Sequence, residues 1–179
     1  MTNIWQNHGT KYNHMIKNLL TTNLISCYDK QWQEAINKED SKLRRYRLFK
    51  TNICLENYLT GCTSLASRKE FTKLRLSAHH LRVETGRHTT PRTPLDNRIC
   101  HYCTLQQVET EEHLLLTCPL YTDERKQMID NLESFTTFPS LESNQDKFIF
   151  IMSYNNGDME VLQTVQNFIN NCIAKRKAA

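Results

Sequence analysis

The stretch RICHYCTLQQVETEEHLLLTCPLY, Arg98 to Tyr121, gathers three of the chain's seven cysteines into one short segment. Cys100 and Cys103 form a C-x2-C pair, with His113 after nine residues and Cys118 after four more. Two residues between thiolates let both sulfurs meet one ion at about 2.3 Å. His113 and Cys118 would bring the other two donors from a short helix, TEEHLLLTC. Neighbours on a helix face lie three or four positions apart, so a spacing of five predicts that this helix unwinds or ends near Cys118. Pro119, directly after it, supports that break.

Three thiolates and a neutral imidazole are a structural zinc set, closed to water and substrate. Such a site contributes on the order of 10–16 kcal/mol at neutral pH, comparable with the whole net stability of a domain. Small apolar cysteines beside a satisfied histidine would be the plain alternative, but four such donors in one segment fit it poorly. His101 rivals His113, yet it lies inside the C-x2-C turn and should point outward. Leu114, Leu115 and Leu116 are expected to seat the segment on a core. Cys27, Cys54, Cys62 and Cys172 are isolated and predict buried thiols. His79 and His80, adjacent on a helix, cannot both face one ion and predict a core edge or a phosphate contact.

Around this segment the 179-residue chain suits one domain, with four Gly and four Pro and no low-complexity tract. Its predicted class is mainly α, a helical bundle-like domain with an embedded zinc knuckle. The expected organisation is an N-terminal helical segment over 1–40, a basic helical region and connector over 41–97, the knuckle over 98–125 and C-terminal helices over 126–179. Apolar spacing predicts helices at Asn3–Cys27, Gln31–Asn37, around SKLRRYRLFK from a capping Ser41, and at Ser67–Val83 with Phe71, Leu74, Ala78 and Leu81 inward. A short turn at Glu56–Leu59 should end at Gly61, and Gly86 should close the Ser67 helix. RHTTPRTPLDNR reads as an extended connector. Further helices are predicted at Asp123–Phe135 and Asp158–Lys177, and for KFIFIMS, which lacks a strand partner.

The net charge of +4 is unevenly spread. From Lys42 to Arg98, thirteen Lys or Arg stand against four acids, leaving the rest of the chain net acidic. This predicts a phosphate-facing surface built from Arg44, Arg45, Arg47, Arg75, Arg82, Arg87, His88, Arg92 and Arg98, extended by Lys42 and Lys50. No apolar run is long enough to span a membrane and no secretory pattern opens the chain, which predicts an intracellular, nuclear or cytoplasmic protein with reduced thiols.

RICHYC, ETEEH, CPLY and the following Arg125 together resemble the C-terminal zinc-binding region of non-LTR retrotransposon reverse transcriptases. RLFKTNICLENYL, KLRLSAHHLRVETGRH, PRTPLDNR and KFIFIMS extend the resemblance over Ser41–Ser153. It implies a segment behind a polymerase thumb that helps hold RNA or target DNA, with Cys100, Cys103, His113 and Cys118 as the metal ligands. The polymerase's Tyr-x-Asp-Asp turn has no counterpart: Cys27-Tyr28-Asp29-Lys30 lacks the paired aspartates. The chain thus reads as a fragment, a decayed copy or a retained domain.

Two functions compete. The first is a zinc-stabilised RNA- or DNA-binding module with backbone-dominated contacts, no catalysis of its own and no small-molecule substrate or membrane partner. The second is a structural or protein-interaction element whose apolar faces, Met15–Ile25 or Val161–Ile173, dock onto a polymerase core or a second copy.

Overall fold

A computed structural model describes residues 4–38, 41–61, 64–133, 138–153 and 158–179; Cys62 and Phe135 lie outside them. The described residues are mainly helical, and their only β pairing is one antiparallel bridge between Ile99 and Val108. The chain divides into two compact units, Met1–Arg47 and Leu48–Ala179. The expected boundaries at 97/98 and 125/126 fall inside the second.

In the first unit, α1 runs unbroken over Ile4–Asn37. Two helices were expected, but no Gly or Pro between Cys27 and Gln31 interrupts the hydrogen-bond ladder. SKLRRYRLFK forms turns and a single 3-10 turn, Tyr46–Leu48, in place of the predicted helix. A helix here would stack like charges three apart at Lys42/Arg45, Arg44/Arg47 and Arg47/Lys50.

The second unit is built on its last helix. α2 (Asn57–Gly61), α3 (Leu65–Arg75) and α5 (Thr122–Glu133) all pack on α7 (Met159–Ala178), and α6 (Asn144–Ser153) packs on the turn that carries His113. KFIFIMS lies within α6, as its lack of a strand partner predicted. α7 starts at Asp158, whose carboxylate accepts the Glu160 N–H at 2.9 Å. Val161, Leu162, Val165, Phe168, Ile169 and Cys172 bury its inner face. That face is therefore core and not the docking surface considered for Val161–Ile173.

The predicted helix Ser67–Val83 is broken. α3 is capped by Ser64, which accepts the Ser67 N–H, and ends at Arg75; the short α4 covers Arg82–Thr85. At the break Ser77 has φ +50°. The Ala78 N–H reaches the Lys73 carbonyl at 2.7 Å and the Ser77 N–H reaches Leu74 at 3.3 Å. These are the two bonds of a Schellman stop, here without its usual glycine. The Ser77 hydroxyl donates to Glu111 at 2.8 Å, a tertiary bond that holds the residue there. The register changes as a result: Ala78 is exposed, while Ser77 and His79 are buried.

Two predicted phosphate ligands are core residues. Arg75 is 1% exposed; it pairs with Glu56 at 2.9 Å and lies over Phe49 at 4.5 Å and Tyr58 at 5.0 Å. Arg98, also buried, donates from NH1 to the Val83 carbonyl at 2.6 Å and from Nε and NH2 to Thr93 at 3.0 and 2.9 Å. Lys50 is buried on Glu56 at 2.9 Å.

Gly86 owes its place to Arg98. Its φ of −66° suits any residue, but an added Cβ would sit 2.7 Å from Arg98 Cγ and Cδ. Gly86→Ala should therefore cost about 1–3 kcal/mol in urea unfolding through overpacking. Arg98→Ala, which strands two carbonyls, should cost about 2–4 kcal/mol.

Candidate metal centre

Cys100, Cys103, His113 and Cys118 converge, with their donor atoms within 4.8 Å of one another. In a tetrahedral shell with arms of about 2.3 Å, sulfurs stand roughly 3.8 Å apart, so the cluster needs about 1 Å of contraction to close on an ion. Cys103 Sγ and His113 Nε2 already lie 3.4 Å apart. Cys100, Cys118 and His113 are buried and Cys103 is half-buried. The four can hold a metal ion.

The first two donors come from a finger closed at its base. Around the Ile99–Val108 bridge, the Cys100 N–H donates to Gln107 at 2.8 Å and the Glu109 N–H to Arg98 at 2.9 Å. Gln106, at φ +53°, turns the chain back. His101 is exposed, outside the cluster, with Arg82 NH1 3.5 Å from its Nδ1.

The second two donors come from a π-helical turn, His113–Thr117. Its closing bond runs from the Cys118 N–H to the His113 carbonyl, five residues back, at 2.8 Å. An α-helix would leave positions five apart about 140° around the axis from each other. The wider turn brings them onto one side, and Cys118 then leaves in an extended conformation. The unwinding predicted near Cys118 is this turn. Leu114 and Leu115, buried beneath it, seat it on the core, while Leu116 is half-buried. Arg125 holds its exit, donating to the carbonyls of Leu115 at 2.9 Å and Cys118 at 2.8 Å.

Sequence reasoning missed the groups behind the donors. Gln107 Oε1 lies 3.0 Å from His113 Nδ1, and Thr117 Oγ1 lies 2.9 Å from it. An amide oxygen only accepts, so the ring proton sits on Nδ1 and Nε2 turns its lone pair toward the cysteines. Glu109, behind the finger, takes Arg176 at 2.9 Å and the Arg82 N–H at 2.8 Å. Arg176 also lies over the Tyr102 ring at 5.0 Å, tying the finger to the end of α7. Glu111 takes His79 at 2.9 Å as well as Ser77. No motif marked these partners; the acidic string alone hinted at them.

Of the other thiols, Cys172 is buried, as expected, whereas Cys27 and Cys54 are exposed. Neither is covered by the core its apolar character suggested. His79 is buried on Glu111, and His80 is exposed. Among the predicted phosphate ligands of the second unit, Arg82 and Arg87 are half-buried, with Arg87 3.4 Å from Glu84, and His88 and Arg92 are exposed. Arg44 and Arg45, half-buried, and Arg47, exposed, belong to the first unit, as does the exposed Lys42.

Burial raises the Cys100 thiol to about 12, raises Cys118 and lowers His113. The unshifted His113 pKa is about 6.5, and the folded value lies below it. The unfolded chain therefore takes up that proton first, and stability is lost as pH falls through the folded value. The thiols act oppositely: their contribution is complete below the unfolded pKa, roughly 8.5, and is lost as pH rises through the folded values. Metal-stripped protein should melt highest between about pH 6.5 and 8.5. Added metal, which binds thiolates, should shrink the alkaline loss in a thermal-shift series. Cys118→Ser should lower metal content and melting temperature together, and Gln107→Ala should weaken metal affinity by about 10–100-fold in a chelator competition.

Among the described residues, no helix is long and apolar enough to cross a membrane. Comparison with protein-family models, curated proteins and solved structures gives no match, so what this centre can do is read from its own atoms.

Proposed function

We propose that the second unit is a zinc-stabilised module that grips the backbone of RNA or DNA, similar to the zinc-binding region of a non-LTR retrotransposon reverse transcriptase. The convergence of Cys100, Cys103, His113 and Cys118 carries this reading. Three sulfurs and an Nε2 lone pair are a donor set that selects zinc over harder ions, and in bound form they leave no coordination position for a reacting water. The zinc is thus a scaffold, and the module has no catalysis of its own.

Of the phosphate contacts predicted from the sequence, Arg82, Arg87, His88 and Arg92 remain accessible in this unit, on α4 and the connector that leads into Cys100. Arg75, Arg98 and Lys50 drop out because their charges are spent inside the core. A reverse-transcriptase core remains a candidate partner through the same resemblance.

Three arginine contacts to duplex DNA predict a slope of log affinity against log salt of about −2.7, or about −2 on a single strand. Arg87→Ala and Arg92→Ala should each reduce that slope by about 1, with metal content unchanged. Fluorescence anisotropy with labelled RNA and DNA oligonucleotides over a salt series measures it. A slope near zero for the parent chain sinks the proposal.

A further inference from the structure

A cavity of about 120 Å³ opens in the second unit between α3, the segment after the Ser77 break and the last turns of α7. Leu81, 1% exposed, and the half-buried Ile173 give it an apolar lining. With them stand the Glu70–Lys73 pair, 2.8 Å apart, the exposed His80 and the guanidinium of Arg176. His79 also lines it but is already engaged: its Nε2 lies 2.9 Å from Glu111, and its Nδ1 accepts the Leu81 N–H at 3.3 Å. Arg176 is fixed in place. Its Nε and NH2 donate to Glu109 at 2.9 and 3.1 Å, NH2 also donates to the His80 carbonyl at 3.0 Å, and the guanidinium lies over Tyr102. NH1 stays accessible and donates to no group among the described residues, so one positioned donor is left for an occupant.

We propose that this cavity receives one unpaired pyrimidine base of a single RNA or DNA strand. The inference rests on the nucleic-acid reading above and adds a ring-binding subsite to it. Size sets the ring. A cavity of about 150 Å³ holds one benzene, so about 120 Å³ takes a six-membered ring and not the fused pair of a purine. Splayed bases of single strands stack on imidazole and guanidinium planes, and His80 and Arg176 offer both. The lining also mixes donors with an acceptor. Lys73 and Arg176 NH1 suit ring carbonyls, and the Glu70 carboxylate suits a ring amino or N–H group. An apolar side chain or a bare phosphate would use only part of that set. Charge fits a nucleotide as well. Lys73 is balanced by Glu70 and Arg176 by Glu109, whereas the exposed Lys177 is in no ion pair among the described residues. That one surplus cation matches the single charge of a phosphodiester. Glu109 holds both Arg176 and the Arg82 N–H, which sets the phosphate-facing α4 beside the cavity.

NMR titration of the metal-loaded full chain with cytidine, uridine and adenosine monophosphates tests it. The pyrimidine nucleotides should shift the His80 ring signals and bind about tenfold tighter than the purine. Ile173→Phe fills the cavity without changing charge, so it should abolish those shifts with metal content unchanged. His80→Ala, at an exposed position, should weaken pyrimidine binding by about fivefold or more. On oligothymidylate, Ile173→Phe should lower affinity by a similar factor yet keep the parent's salt slope, since no cation is lost. Equal binding of the adenosine nucleotide, or pyrimidine binding that survives both variants, overturns the subsite even where the parent's salt slope stands. Inorganic phosphate that shifts His80 as strongly as the nucleotides makes the cavity a plain anion site and also overturns it. A parent salt slope near zero sinks the strand reading and this proposal with it, and the mononucleotide shifts tell that failure apart from a failure of the cavity.

Discussion

The second unit depends on one widened turn of helix. His113 and Cys118 must present two donors to the same point, yet their spacing suits neither an α-helix face nor a simple loop. The bond from the Cys118 N–H to the His113 carbonyl resolves this by enclosing five residues. Widening a turn disturbs the carbonyls that follow, and Arg125 takes up those of Leu115 and Cys118. Leu114 and Leu115 are buried under the same turn. Donor placement and core packing are therefore one structural event, and a chain that lost the core contacts could not keep the donors in line.

Around that turn, charges are unusually deep. Glu109 and Glu111 are 2% and 0% exposed, and each faces a cation or histidine drawn from distant sequence: Arg176 at the end of α7, His79 beyond the end of α3. Arg98 fastens the connector to α4, and Arg75 sits among three aromatic rings beside Glu56. Buried charges of this kind add little net stability over apolar residues, but losing one partner is costly. They fix which segments meet. Three of the thirteen basic residues of the middle third, Lys50, Arg75 and Arg98, are thus internal, and the basic surface is smaller than composition suggested.

This pattern explains what could be read from the amino-acid string. Ligand chemistry demands particular atoms at particular spacings, so Cys100, Cys103, His113 and Cys118 stood out, and the structure brings them together. α5, α6 and α7 were legible because local cues agreed: apolar periodicity, acids in a first turn, the Asp158 cap. Failures came where a tertiary partner outweighed local preference. Ser77 takes a conformation favoured by glycine because Glu111 holds its hydroxyl. Arg75 and Arg98 looked like surface cations because nothing near them in sequence announces Glu56, Phe49 or the Val83 carbonyl. Gln107, the residue that orients His113, had no signal, since its role exists only once the finger closes.

The two units are held by different physics. Within Leu48–Ala179, the centre is tied to the C-terminal helix by Glu109–Arg176 and by Arg176 over Tyr102, so a metal ion would stabilise α7 as well as the finger. α1 has no comparable ties between Asn13 and Tyr28, where every side chain is exposed. Helical propensity alone leaves an isolated helix marginal in water, and most helices persist because an apolar face is covered. A 34-residue helix without such cover over its middle turns is under-supported by its own unit.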